Sequence, residues 1–215
     1  MDIILKYFTD FSDVQLQQLR ALADLYKDWN SKINVISRKD IDNLYEKHVL
    51  HSLSIAAVFD FPHGTEVIDM GTGGGFPGIP LAIFFPLVKF HLVDSVAKKL
   101  KVVEGVAQDL GLTNVNTQHT RVEEIKNRKF DFAVSRAVAP LKELWNWSKP
   151  LIRNPKPNPG SNADRNPKFS HGLICLKGGD LAKEILESGK RPRIMEIFEI
   201  FPEEYFREKY ILFVS

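Results

Sequence analysis

The chain has 215 residues, enough for one α/β domain with a small extension and too few for two full ones. Its formal net charge of +2 and apolar fraction of 44% describe an ordinary globule and argue neither for nor against a nucleic-acid partner. The single cysteine, Cys175, sits in the apolar run Gly172-Leu-Ile-Cys-Leu, which excludes a disulfide framework and a cysteine-built metal site, so no metal is expected.

The first residues lack the basic stretch, apolar core and cleavage site of an export signal. No apolar run approaches the ~18–20 residues that cross a bilayer. The expected compartment is therefore the cytoplasm, with no membrane partner. Residues 1–61 read as a helical extension packed on the core. Ser12 or Asp13 can cap a helix whose positions Val14, Leu16, Leu19, Leu22, Ala23, Leu25, Tyr26 and Trp29 follow a helical stripe. Trp29-Asn30-Ser31-Lys32-Ile33-Asn34 reads as a loop, and a second helical region covers about 40–59 until Pro62 and Gly64 break it.

From about residue 66, within a unit spanning 62–215, strands and helices alternate. Strands are expected at 66–69, 89–94, 115–118, 130–135 and 172–176. Helices are expected at 78–85, at 96–110 with Gly111 as the C-terminal stop, and from 140 to 147. Residues 193–201 and 209–214 read as a final strand pair joined through Pro202-Glu203-Glu204. Such an order predicts a mostly parallel sheet of seven strands with helices on both faces and an antiparallel C-terminal edge. Residues 150–170 read as a long Pro- and Asn-rich loop, with Arg153, Lys156, Arg165 and Lys168 against Asp164 alone.

The chain is organised around Val-Ile-Asp-Met-Gly-Thr-Gly-Gly-Gly-Phe-Pro-Gly at 67–78. A strand ends near Asp69, glycines at 71, 73, 74 and 75 make a tight turn, and a helix opens at Gly78, which together form a cradle for a nucleotide-like ligand. Phe76 and Pro77 interrupt the spacing a dinucleotide pyrophosphate needs, which disfavours a nicotinamide enzyme. Asp69 would repel phosphates but suits a cationic, phosphate-free ligand such as S-adenosylmethionine, directly or through water. Asp94, at the end of the second strand, suits the two hydroxyls of a ribose, a reading favoured over its use as a helix cap. Arg121-Val-Glu-Glu follows the third strand, where backbone groups can read adenine; for Glu123 a solvated turn carboxylate is an equal alternative.

Several stretches then match one family. They are Trp29-Asn30 with Ile33-Asn34, His48 with His51-Ser52-Leu53, the 68–82 run around Gly-Thr-Gly-Gly-Gly-Phe-Pro-Gly-Ile-Pro-Leu-Ala, Leu92-Val-Asp-Ser with Lys98-Lys99, Arg121-Val-Glu-Glu, Ser135-Arg-Ala-Val-Ala and Leu176-Lys-Gly. The chain resembles the bacterial small-subunit ribosomal RNA guanine-N7 methyltransferase G family, also called glucose-inhibited division protein B. The resemblance implies a class I, Rossmann-like fold using S-adenosylmethionine, and methyl transfer to N7 of a guanine in small-subunit ribosomal RNA. It places cofactor contacts on Gly71, Phe76, Val122, Glu123 and Arg136, with Asp94 on the ribose. It puts basic positions tied to RNA or catalysis on Lys98, Arg121 and Arg136. The family often carries His-x-x-Asp-Ser where this chain has His48-Val-Leu-His51-Ser52.

N7 of guanine has an in-plane lone pair and no proton at neutral pH, so it can attack a sulfonium methyl in line without a general base; the enzyme's task is alignment. Arg136, just past the fourth strand, could bond guanine O6 or a phosphate; the structural alternative pairs it with Asp69 or Glu123. Lys98, Lys99 and Lys101 sit oddly at a helix start, which disfavours cations; a nearby RNA phosphate would explain them, and a solvated helix face is an equal alternative. Trp145 and Trp147 read as packed rather than base-stacking. Naked ribosomal RNA or the assembled small subunit is the expected partner of a monomer. The competing readings are a non-catalytic S-adenosylmethionine-binding RNA-binding protein and a small-molecule methyltransferase.

Overall fold

The computed structural model describes residues 1–37, 39–136, 138–154 and 171–215. The expectations for Lys156, Asp164, Arg165 and Lys168 lie outside the described residues.

The sheet has seven strands: β1 (Glu66–Met70), β2 (Lys89–Asp94), β3 (Val115–His119), β4 (Phe132–Arg136), β5 (Gly172–Gly178), β6 (Arg193–Glu196) and β7 (Lys209–Val214). Their order is β3-β2-β1-β4-β5-β7-β6. The first five run parallel, β7 pairs antiparallel with β5, and β6 antiparallel with β7. The strand order reverses at β1, so the crevice above β1 and β4 is the switch point where ligands bind in open α/β sheets. Alternation along the strands divides the core. Ile174, Leu176, Ile211 and Phe213 face one layer, while Leu173, Cys175, Leu212 and Val214 face the other.

Helices α1 (Asp2–Leu5), α2 (Asp13–Lys32) and α3 (His51–Val58) belong to the first layer, with α4 (Gly78–Phe84) and α5 (Ala97–Asp109). Ile4, Leu19, Leu22 and Tyr26 share one buried cluster with Phe76, Ile79, Leu92 and Val103. Of the two expected candidates Ser12 is the cap of α2, through a capping box with Gln15. Helix α6 (Leu141–Ser148) covers the second layer, and α7 (Ala182–Ser188) packs beside it.

Three local expectations are corrected. α2 runs on through Lys32 instead of ending in a loop at Trp29, because the Trp29 ring packs against α5; a Cβ at Gly105 would lie 2.1 Å from it. The region 40–59 is not one helix. It is a short turn at Ile41–Asn43, a wide π-helical turn over Tyr45–Leu50 and then α3. The expected strand at 193–201 stops at Glu196, and Ile197–Ile200 forms a helical turn, α8. The Phe201 N–H donates to the Ile197 carbonyl at 2.8 Å, a four-residue helical hydrogen bond that an extended strand cannot make, and both side chains are buried. Arg153 is also not a free basic side chain: its guanidinium bridges Glu66 at 2.6 Å and Asp131 at 2.8 Å.

Candidate active site

The glycine turn is tied down from below. Thr72 N–H donates to the Val93 carbonyl at 2.9 Å, and Gly75 and Phe76 N–H donate to the Thr72 carbonyl. Tyr26 reaches in from α2 and donates its hydroxyl to the Gly74 carbonyl at 2.6 Å. Asn30 accepts from the Val35 and Ile36 N–H groups, which holds Val35 against the Gly74 backbone. The N-terminal helices therefore build the back of the crevice. Gly71 requires its residue type twice over: φ is +69°, and a Cβ would meet Val138 at 2.8 Å.

The crevice above this turn encloses about 480 Å³. Gly71, Gly73, Phe76, Asp94, Arg121, Val122, Glu123 and Arg136 all line it, so most of the residues expected from the sequence are brought together. Asp94 is tied to the backbone on both sides, just before α5 and at the glycine turn. Its Oδ1 accepts from Val96 N–H at 2.8 Å at the start of α5, and its Oδ2 accepts from Gly73 N–H at 2.9 Å on the crevice wall. Val122 and Glu123 sit in a single turn, Val122–Glu124, with Val122 buried and Glu123 exposed. Trp147 is half-buried and reaches the crevice, whereas Trp145 is half-buried elsewhere with the Lys190 ammonium over its ring.

Two expected residues lie elsewhere. Lys98 is exposed and outside the crevice; Lys99, one position on, is the one that lines it, since neighbouring helix residues point about 100° apart. Asp69 is fully buried beneath the turn and does not line the wall. Its Oδ2 accepts from Thr72 Oγ1 at 2.7 Å and from Gly78 N–H at 2.9 Å. A carboxylate thus already occupies the N-terminus of α4, the position a pyrophosphate takes in a dinucleotide fold. The other oxygen, Oδ1, is buried without a hydrogen-bond partner among the described residues.

Burial pushes the Asp69 carboxyl up to about 7, against the hydrogen bonds from Thr72 and Gly78 and the charge of Arg136. A carboxyl raised in the fold favours folding below its unfolded pKa, and that contribution is lost as pH rises through the folded value. Asp69→Asn keeps an oxygen for Thr72 and Gly78 but cannot ionise. The unfolding free energy of the variant relative to the unsubstituted protein is expected to rise by about 2 kcal/mol between pH 5 and pH 8. Denaturant titrations across that range check this; parallel pH curves would show that Asp69 ionises normally.

Arg136 ends β4 and lies between two cavities, lining both. Its Nη1 donates to the Lys47 carbonyl at 3.2 Å and its Nη2 to His48 Nδ1 at 2.8 Å, and its guanidinium lies 5.1 Å from the Phe76 ring centre. Among the described residues it makes no ion pair, so the expected alternative pairing with Asp69 or Glu123 is not what holds it. Burial lowers its pKa from the usual arginine value. Burial and the adjacent guanidinium push His48 down to about 3, so it is neutral and accepts from Arg136. Tyr26 and His48 flank the Phe76 ring at 4.9 and 5.0 Å. Sequence reading missed both in these roles, because helical spacing marks them only as apolar-face positions.

The second cavity, about 710 Å³, opens beyond Arg136 at the ends of β4 and β5, with Lys47, His51, Lys177, Glu184 and Lys209 in its wall. Cys175 is buried in β5 and burial pushes its thiol up to about 12, which excludes it as a nucleophile.

The crevice residues fit S-adenosylmethionine. The helix terminus is closed to phosphate by Asp69, an acidic side chain stands at the end of β2, and Gly73 at φ +58° leaves open space where a Cβ would lie. A parallel sheet closed by an antiparallel pair, with this crevice at its switch point, is the architecture of the class I S-adenosylmethionine-dependent methyltransferases. The fold is similar to that of a SAM-dependent methyltransferase from Aquifex aeolicus, with a TM-score of 0.54 at 16% identity over 83% of this chain and 97% of that one. Within that class the sequence is more specific. The family model described as rRNA small subunit methyltransferase G matches residues 15–156. The chain is 54% identical to the ribosomal RNA small subunit methyltransferase G of Bacteroides thetaiotaomicron, over 99% of this chain and 98% of that protein. It is 52% identical to the protein of the same name from Phocaeicola vulgatus, over 100% of this chain and 98% of that one. The chain belongs to the rRNA small subunit methyltransferase G family.

No described helix is long and apolar enough to cross a membrane.

Proposed function

We propose that this protein methylates N7 of a guanine in small-subunit ribosomal RNA, using S-adenosylmethionine and no general base. One observation carries the reading: an arginine with no carboxylate partner among the described residues stands in the wall shared by the cofactor crevice and a second cavity with room for a base. When bound, S-adenosylmethionine supplies a methyl group activated by a sulfonium. Asp94 would hold its ribose, the backbone of Gly71 and Gly73 would lie against it, and Val122 and Glu123 would flank the adenine. Arg136 would donate to guanine O6, or to a phosphate beside it, and so fix the N7 lone pair toward the crevice. Arg121 and Lys99 line the crevice mouth, where the RNA backbone is drawn in.

The test incubates labelled S-adenosylmethionine with small subunits, and separately with naked ribosomal RNA, both lacking the modification. Label at one guanine N7, mapped by chain cleavage at the methylated base, is the expected result. Cofactor binding without transfer would leave only the RNA-binding reading, and label on small molecules alone would leave the other.

His48 is an acceptor for Arg136 and not a base. His48→Gln, which keeps an acceptor oxygen, is expected to retain turnover within about fivefold, measured with saturating cofactor. A loss of about 10²–10⁴-fold is what removal of a general base produces, and it would contradict this assignment.

A further inference from the structure

Resting on the target-base reading above, we infer that Glu184 is the residue that selects guanine, its free Oε2 accepting hydrogen bonds from the base's N1–H and N2 amino group.

The base must turn its O6 toward Arg136 and keep its N7 lone pair free toward the cofactor crevice. The neighbouring Watson–Crick edge, which begins at O6, then presents two adjacent donors, N1–H and N2–H, to the rest of the second cavity's wall. A carboxylate is the group that satisfies them. Two carboxylates line the cavity, Asp40 and Glu184. Asp40 has both oxygens engaged: Oδ1 takes the Lys47 ammonium at 2.6 Å and Oδ2 the Ser37 hydroxyl at 2.6 Å. Glu184 is different. Its Oε1 accepts from the Leu141 N–H at 2.6 Å and from the Lys177 ammonium at 2.6 Å, while Oε2 has no hydrogen-bond partner among the described residues.

The local structure explains why this oxygen is fixed. Glu184 sits in the first turn of α7, and the Leu141 N–H it accepts is the first of α6, so the carboxylate ties two helix starts together. Lys177 follows Leu176, which pairs in register with Arg136, so Lys177 emerges one strand away at the same carboxyl edge of the sheet. Its ammonium also donates to the Ala139 carbonyl at 2.6 Å and is nearly buried. The lysine offsets the buried charge, and Oε2 is left as a held acceptor. Adenine at this place would set its N1 lone pair against Oε2 and its N6 amino group against the guanidinium; both contacts repel.

The experiment compares kcat/KM for guanine and for inosine at the methylated position of a reconstituted substrate. Inosine keeps N7, O6 and N1–H but lacks the N2 amino group. The unsubstituted protein is expected to prefer guanine roughly 10- to 100-fold. Glu184→Gln keeps an oxygen for Leu141 and Lys177 but turns an amide donor to the base. It is expected to lose a comparable factor on guanine and to bring the guanine-to-inosine ratio near one, with cofactor affinity unchanged.

A residue that merely ties α6 to α7 would lower both substrates together, so an unaltered ratio in Glu184→Gln overturns the proposal. A ratio near one in the unsubstituted protein overturns it as well, and that measurement needs no variant to fold. Absence of any N7-methylguanine from the unsubstituted protein would instead sink the proposed reaction.

Discussion

Arg136→Ala is expected to lower turnover by about 10²–10³-fold, the cost of removing a preorganised donor from a reacting centre. Arg136→Lys is expected to recover little of that loss. A buried arginine kept for structure has a carboxylate beside it, and removing it strands a charge. Arg136 has a carbonyl, a neutral imidazole and an aromatic face instead. These contacts orient a planar fork without neutralising it, and desolvation lowers its pKa. Removing the side chain breaks no ion pair among the described residues, so the thermal midpoint of Arg136→Ala is expected to stay within a few degrees of the unsubstituted protein. A lysine supplies charge without the fork and cannot use the Lys47 carbonyl and His48 Nδ1 together while presenting donors to a base.

Single-turnover rates with saturating cofactor, beside calorimetric unfolding of the same preparations, check this pair of expectations. Turnover within threefold of normal in Arg136→Ala, or a loss that follows unfolding, would remove Arg136 from the reaction. The kinetic split adds resolution. The guanidinium touches both cavities, so loss of a transition-state contact lowers kcat and kcat/KM together, whereas loss of ground-state RNA binding raises KM alone.

Much of this site was legible because sequence neighbours carry it. β2 and β7 were read with their observed ends, since each is a short, nearly continuous buried run opened by a lysine, and the glycine turn follows directly on β1. Gly71, Gly73, Phe76, Asp94, Val122 and Arg136 are all at or just beyond strand ends, where topology alone sends residues to the carboxyl edge of the sheet. Lys98 and Lys99 show the limit of that logic. On a helix one position is the difference between wall and solvent, and the α5 cap that sets the rotation is the backbone of Val96, which no composition rule marks.

Asp69 shows a second limit. Its charge suggested a cationic ligand, but the folded chain spends the carboxylate on Thr72 and Gly78, and the exclusion of phosphate arises from that internal use. Tyr26, His48 and Glu184 were invisible as site residues for a third reason. They come from helices distant in sequence, and their contacts with Gly74, Arg136 and Leu141 span 48, 88 and 43 residues.

The remaining large effect is expected at Asp94. Asp94→Ala should weaken S-adenosylmethionine binding by about 100-fold and lower stability by about 2 kcal/mol, because two jobs are lost together. The buried carboxylate fixes the Gly73 N–H on one side and the Val96 N–H on the other, which sets the distance between the glycine turn and α5. Without it both donors lose their partner and the crevice floor is free to open. Asp94→Asn has one acceptor oxygen for two N–H groups, so it should fall between the two in both measurements.

A helix cap alone would account for the stability loss but not for a loss of recognition at the ribose. Titration calorimetry with S-adenosylmethionine and with an analogue lacking the ribose hydroxyls separates the two. The unsubstituted protein should bind the analogue at least tenfold more weakly, and Asp94→Ala should bind both ligands alike, since the missing hydroxyls then have no carboxylate to donate to. Equal preference for the hydroxylated ligand in both proteins would assign Asp94 to the scaffold and move ribose recognition to another wall of the crevice.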